Sequence, residues 1–217
     1  SGTSRWHAAL EEAVAEFKRA PAALLFPPGY MANLGMLGVL GGPDATIVSD
    51  ELNHASLIDG CRLSRSKVEV YAHADVASAR RALQRESTPR RFILTESVFS
   101  MDGDLAPLAG LRALGTDVVV DDVHGLGVFG PEGRGELDAP IQSGNLAKAA
   151  GSLGGFVTGS KELVALLRSQ ARSFLFTTAL PPAVCAAGIE GLRLVKEGHE
   201  RRERLRAGIK LLGSSSP

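Results

Sequence analysis

A chain of 217 residues with 44% hydrophobic and 22% charged residues is long enough to bury one large core or two small ones. Its 24 basic and 24 acidic residues cancel, which removes the electrostatic footprint expected of a nucleic-acid binder or of a protein drawn to an anionic membrane. The longest apolar runs are cut by glycine or charge before membrane-spanning length, and from Ser1 onward no charged-then-apolar leader is read.

In chain order, Ser4 to Arg19 reads as a helix with Trp6, Leu10, Val14 and Phe17 on one face. Short apolar runs at Ala22–Phe26, Thr46–Ser49, Lys67–Tyr71, Phe92–Thr95, Val118–Asp121 and Gly155–Thr158 fit buried strands of a mostly parallel sheet. Helical patterns lie between them at Met31–Leu40, Ser56–Ser64, Val76–Arg85, Leu108–Leu114 and Glu162–Arg172. The alternation predicts an α/β fold with helices on both faces of the sheet. Pro181-Pro182 opens a long helix to about Leu212, with proline at the favoured first position. In its second half Glu197, Glu200 and Glu203 interleave with arginines, which marks a solvated face. That helix is expected to expose Ile189, Leu192 and Val195, and the tail from Gly213 to fray. Pro107 to Val118 and Glu136 to Gln142 are unusually short connections. Cys61 and Cys185 make neither a disulfide framework nor a metal cluster, so a reduced, cytoplasmic setting is expected.

Six segments could carry chemistry. In Val118-Val-Val-Asp-Asp-Val-His-Gly-Leu-Gly-Val-Phe-Gly130, a buried strand ends in acids and a histidine follows three residues after Asp121. Ligands in open α/β sheets bind beyond such strand ends. Gly125, Gly127 and Gly130 also spell G-x-G-x-x-G, but Pro131 follows where a dinucleotide site needs a helix to open. Lys148 sits among Ala, Leu and Gly, a setting that favours a neutral, nucleophilic amine. Thr95-Glu-Ser-Val-Phe-Ser100-Met-Asp-Gly-Asp104 follows another strand. Pro28-Gly-Tyr-Met-Ala-Asn33 enters a helix whose free N–H groups suit a phosphate. Asn53-His54-Ala-Ser56 and Phe176-Thr-Thr-Ala-Leu-Pro-Pro182 complete the set. Each taken alone reads as a cap, a turn or a satisfied histidine.

Taken together and in this order, the six segments resemble the α-oxoamine synthases, a family of pyridoxal-phosphate enzymes of fold type I. Within it, Val98-Phe-Ser-Met-Asp-Gly-Asp-Leu-Ala-Pro-Leu108 looks most like the biotin-pathway branch. The resemblance implies pyridoxal 5'-phosphate as cofactor and Lys148 as its covalent anchor. It implies that Asp121 meets the pyridine nitrogen, that His124 and Ser100 bond the phenolic oxygen, and that His54 stacks on the ring. The Gly29 and Tyr30 backbone would take the phosphate, with Thr177 and Thr178 reaching in from a second subunit of a homodimer. The implied substrates are an amino acid and an acyl-CoA or acyl-carrier-protein thioester.

The chain departs from the family pattern in two ways. Asn145 stands where the family usually has a phosphate-binding threonine, though its amide can still donate a hydrogen bond. No arginine sits in a motif matching the family's carboxylate anchor, which normally lies in a C-terminal small domain. Residues 1–180 are therefore expected to form the cofactor-binding large domain, with 181–217 leading towards that small domain. A fold kept without turnover is the alternative reading.

Overall fold

The computed structural model describes residues 3–85 and 87–213, with side chains through 211. Ser1, Gly2 and residues 214–217 lie outside the described residues, so only Gly213 of the expected frayed tail is seen, as the end of a helix. The first half of the chain runs α1 (Arg5–Phe17), β1 (Ala22–Phe26), α2 (Gly29–Leu40), β2 (Ala45–Asp50), α3 (Ala55–Leu63), β3 (Lys67–Tyr71) and α4 (Val76–Arg85). The second half runs β4 (Arg90–Glu96), α5 (Leu108–Arg112), β5 (Asp117–Asp121), β6 (Ile141–Asn145), β7 (Gly155–Gly159), α6 (Lys161–Gln170), α7 (Arg172–Leu175), α8 (Pro182–Glu197) and α9 (His199–Gly213).

Among the described residues, seven strands form one sheet in the order β1-β7-β6-β5-β4-β2-β3. Every pairing is parallel except those of β7, which runs antiparallel to both β1 and β6. Because successive strand residues point to opposite faces, the apolar runs are divided between two layers. Leu24 and Phe26 of β1, Phe92 and Leu94 of β4, and Val119 of β5 pack with Met36 and Leu37 of α2, Leu57 of α3 and Leu167 of α6. Their alternates face the other way. Ala23 and Leu25 meet Leu10 and Val14 of α1 and Leu192 of α8, while Ile93, Val118 and Val120 meet Ala79 of α4 and Leu111 of α5. Each fully buried Leu or Phe contributes roughly 1.5–3 kcal/mol. This is the predicted mostly parallel α/β sheet.

Three expectations are corrected. The connection from Glu136 to Gln142 leads into a strand, β6, which the sequence conceals because Gln142, Ser143 and Gly144 are not apolar although all three are buried. The long helix is two helices, α8 and α9, parted at Gly198 (φ −76°, ψ 38°). Arg202 reaches back from α9 to the carbonyl oxygens of Val195 (2.5 Å) and Lys196 (3.4 Å), satisfying the end of α8. Finally, Leu192 and Val195 are buried and Ile189 packs against the same cluster, so α8 covers α1 and does not present those residues to solvent. Among the described residues the exposed large apolar side chains of α8 and α9 are Leu194, Leu205, Ile209 and Leu211.

Candidate active site

Strand parity decides which acid of the Asp121-Asp122 pair faces the ligand edge. Asp121 lies on the face of Val119, towards α2. There its Oδ2 accepts from Asn33 Nδ2 (2.7 Å) and its Oδ1 from the Val123 amide (3.1 Å). Asp122 lies on the opposite face and pairs with Lys18 Nζ at 2.6 Å, with neither side chain more than 1% exposed. It also accepts from Ser97 Oγ (2.6 Å) and the Glu136 amide (2.9 Å), while Lys18 donates to the Arg134 and Glu136 carbonyls. Burial pulls the Lys18 pKa down and pushes that of Asp122 up, and their pairing opposes both shifts. Asp122 is thus structural, and Asp121 belongs to the cleft.

The cleft lies at the carboxyl ends of β4, β5 and β6. Glu96, Asp121 and Asn145 line it, each the last residue of its strand, together with Gly29 and Tyr30 at the start of α2 and His54 just before α3. His124 and Lys148 come in from the loops after β5 and β6. Seven predicted residues therefore converge: Gly29, Tyr30, His54, Asp121, His124, Asn145 and Lys148. The other three do not line the cleft within this chain. Ser100 is exposed on a turn, Thr178 is exposed, and Thr177 lines a separate groove with His7 and Phe174.

Asn33, Ser56 and Glu96 fall within the segments named above, where the resemblance gives them no role, yet they tie the site together. Asn33 Nδ2 donates to Ser56 Oγ (2.9 Å) as well as to Asp121. Ser56 Oγ lies 2.7 Å from His54 Nδ1, which also accepts the Ser56 amide at 3.1 Å as a helix cap. Nδ1 is thereby an acceptor, which leaves Nε2 to carry the ring proton. Glu96 Oε1 accepts from the His54 amide at 2.6 Å, and β4–β5 register sets Glu96 directly beside Asp121. Asn33 was in reach of sequence reasoning, since it lies one helical turn after Gly29 and so shares its face.

Electrostatics follow from burial. Desolvation, aided by the neighbouring Asp121 charge, pushes the Glu96 carboxyl up to about 8. Burial also raises Asp121, against the bonds from Asn33 and Val123. His124 is lowered by burial and then by the nearby Lys148 charge. Between the ordinary glutamate value and about 8, folded Glu96 holds a proton that the unfolded chain has released. Stability should therefore fall as pH rises through that window, by on the order of a few kcal/mol. Glu96→Gln should flatten the decline in urea melts run across the same pH range, and an unchanged slope would show that Glu96 ionises normally.

The glycines of the Gly125–Gly130 motif serve packing. A Cβ on Gly125 would lie 2.1 Å from Asp122 Oδ1, and Gly127, at φ +84°, would meet the Ala149 Cβ at 2.3 Å. Gly127 thereby brings the loop after β5 against the loop that carries Lys148.

The donor set is arranged for a particular kind of ligand. Asp121 is buried and has no ion-pair partner among the described residues. No hydrogen bond within the chain engages the Lys148 amine or the His124 ring among the described residues. The N-terminus of α2 has no side-chain cap, and an added Cβ on Gly29 would lie 3.1 Å from Asn145 Nδ2, so the amide stands against that helix start. A ligand with a protonated ring nitrogen, an aldehyde and an anionic group matches the buried acid, the amine and the helix N-terminus.

The chain belongs to the aminotransferase class I and II family, whose model matches residues 1–215. It is 48% identical to the 8-amino-7-oxononanoate synthase of Methylococcus capsulatus, over 96% of this chain and 57% of that protein. It is 46% identical to the enzyme of the same name from Marinobacter nauticus, over 95% and 57%. Among solved structures, Sphingomonas wittichii serine palmitoyltransferase matches with a TM-score of 0.91 at 34% identity, covering 95% of this chain and 55% of the other. The 8-amino-7-oxononanoate synthase of Francisella tularensis matches at 0.88 and 31%, covering 97% and 64%. The chain thus spans a little over half the length of the curated relatives it matches, and its fold is the expected fold type I.

Among the described residues no helix is long and apolar enough to cross a membrane.

Proposed function

We propose that this chain is the cofactor-binding large domain of an α-oxoamine synthase, most similar in its reaction to 8-amino-7-oxononanoate synthase. The reaction is the decarboxylative condensation of L-alanine with a pimeloyl thioester, releasing carbon dioxide and the thiol carrier. One observation carries the proposal: Lys148, Asp121 and His124 meet the uncapped start of α2 in a single cleft. Pyridoxal 5'-phosphate, when bound there, supplies the electron sink that stabilises a carbanion at the amino acid's α-carbon.

The chain's own groups then have distinct tasks. Lys148 holds the cofactor covalently. Asp121, kept in place by Asn33 and the Val123 amide, holds a proton at the ring nitrogen. His54, with Nδ1 occupied by the cap of α3, offers its Nε2–H and ring face to the cleft. The Gly29, Tyr30 and Asn145 amides would receive the phosphate and His124 the phenolic oxygen, while Ser100 stays on its exposed turn, outside the cleft lining. Thr177 and Thr178 act across a homodimer interface, a role supported by the exposed Leu175 and Phe176 immediately before them. A reducing cytoplasm suits the two buried free cysteines, Cys61 and Cys185.

Titrating the chain with pyridoxal phosphate while recording its visible absorbance and its light-scattering mass tests both cofactor and dimer. No spectral change on addition would overturn the proposal. In the full-length protein, turnover of L-alanine with pimeloyl thioester against L-serine with palmitoyl thioester decides between this activity and serine palmitoyltransferase, which the structural likeness also favours.

Asp121→Asn and Asp122→Asn should part cleanly. The first should leave cofactor attached but slow exchange of the α-proton of L-alanine by roughly a hundredfold or more, since the ring loses the partner of its nitrogen. The second should act chiefly on folding. Proton NMR of alanine in deuterated buffer measures the exchange, and the reverse pattern would show that the strand register assigned to the pair is wrong.

A further inference from the structure

His73, two residues beyond β3, is bound at both ring nitrogens: Nδ1 lies 2.9 Å from Asp50 Oδ1 and Nε2 lies 2.7 Å from Asp104 Oδ2. An ionised carboxylate only accepts hydrogen bonds, so this bridge requires a proton on each nitrogen and makes the ring a cation.

Asp50 is 2% exposed and organises the chain that leads to His54: its Oδ1 accepts the Leu52 amide and its backbone carbonyl the Asn53 amide. Its Oδ2 accepts the amide of Ala74, a non-glycine residue in the left-handed region at φ 53°. Such a conformation persists only where surrounding bonds impose it. On the other side, Asp104 closes the turn that carries Ser100. The Phe99 amide donates to the Asp104 carbonyl (3.0 Å) and the Gly103 amide to the Phe99 carbonyl (2.9 Å). The Phe99 ring meets His73 edge-on, with centroids 4.4 Å apart. Between these anchors Met101 is 91% exposed and a Cβ on Gly103 would touch nothing. The Val98–Leu105 bridge and the Ala106 amide bond to the Ser97 carbonyl (3.1 Å) hold the base of this turn, and His73 meets its tip through Phe99 and Asp104.

We infer that His73, bridging Asp50 and Asp104, is a positioning residue that sets the spacing between the loop carrying His54 and the turn carrying Ser100, and so shapes the mouth of the Lys148 cleft. Its link to cofactor binding rests on the function proposed above, whereas the strut itself does not. Among the described residues the titratable groups facing His73 are acids: Asp50 from β2, Glu51, which accepts the His73 amide at 2.8 Å, Asp104 from the turn, and Glu96 from β4, whose carboxyl keeps its proton up to about 8. Burial alone would lower the His73 pKa, but the bonds to Asp50 and Asp104 outweigh it and the net direction is upward. Because the folded value is raised, the strut is complete below the ordinary histidine pKa and is lost as pH rises through the higher folded value.

Hydrogen–deuterium exchange at residues 99–105 of the 217-residue chain without cofactor, corrected for the intrinsic rate at each pH, reads this directly. Protection of the Phe99 and Gly103 amides should fall by about tenfold on passing from mildly acidic to alkaline pH. In a Glu96→Gln background, which removes the wider decline of stability with pH, Asp104→Asn, a substitution at a partly exposed site, should move the midpoint to lower pH by removing one anion, and His73→Gln should abolish the dependence. A merely structural contact would lower protection without moving the midpoint. Protection independent of pH, or an unmoved midpoint in Asp104→Asn, overturns the strut. With pyridoxal phosphate added, both variants as single substitutions should bind it more weakly than the wild-type chain, and equal affinity overturns the link to the cleft. A wild-type chain that binds no cofactor, yet shows the shifted midpoint, removes the functional proposal and still supports the strut.

Discussion

Lys18→Ala should cost about 3–5 kcal/mol of folding stability, because it strands the Asp122 carboxylate where no water reaches it. For a chain of this length, that corresponds to a fall in melting temperature of roughly 6–20 °C, measurable by circular dichroism. Replacing both partners, in Lys18→Met with Asp122→Leu, should recover only part of the loss. Lys18 Nζ also serves the Arg134 and Glu136 carbonyls, and Asp122 also serves Ser97 Oγ and the Glu136 amide, so apolar replacements leave those groups unpaired. A single mutant within about 0.5 kcal/mol of wild type, the scale of surface substitutions, would mean that water enters the pair.

The second large effect is chemical. Borohydride reduction in the presence of pyridoxal phosphate should trap the cofactor on Lys148, and peptide mass mapping should find the pyridoxyl group there and not on Lys161 or Lys67. Lys148→Ala should lose all covalent retention while keeping weaker, dialysable binding through Asp121 and the α2 N-terminus. In the full-length protein it should abolish turnover. Label recovered in undiminished yield from the alanine variant would remove Lys148 from its proposed role.

Much of this architecture can be read from residues, and the exceptions have physical causes. Val118–Asp121 is legible as a strand because β-branched residues run unbroken into two acids, and its ligand edge follows from where strands end. Lys148 does line the cleft, but it is exposed there, so its Ala, Leu and Gly neighbours do not give the desolvated setting they suggest in sequence. β6 is not legible, since a central strand that ends at a binding cleft carries Gln142, Ser143 and Gly144. Gly144 is small because a Cβ would lie 2.4 Å from the Phe156 ring, which is a constraint of packing and not of hydropathy. Nor is the break between α8 and α9, where charge patterning continues across Gly198 and only the return of Arg202 to Val195 shows the chain turning. Glu96 hides for a third reason: its neighbour across β4 and β5 is 25 positions away in sequence, and only the pairing register places the two acids side by side.

The single antiparallel strand has a consequence for how the chain is made. β1 has one hydrogen-bonded neighbour, β7, so Leu24, Leu25 and Phe26 leave the ribosome about 130 residues before the strand that will pair with them exists. At ordinary elongation rates of about 5–20 residues per second that delay is roughly 6–26 s. For that time the nascent chain presents an apolar strand with both edges open, next to an amphipathic α1 whose cover, α8, is synthesised later still. The N-terminal segment of this fold is thus the part with most need of a chaperone, and the last to gain a place in the sheet.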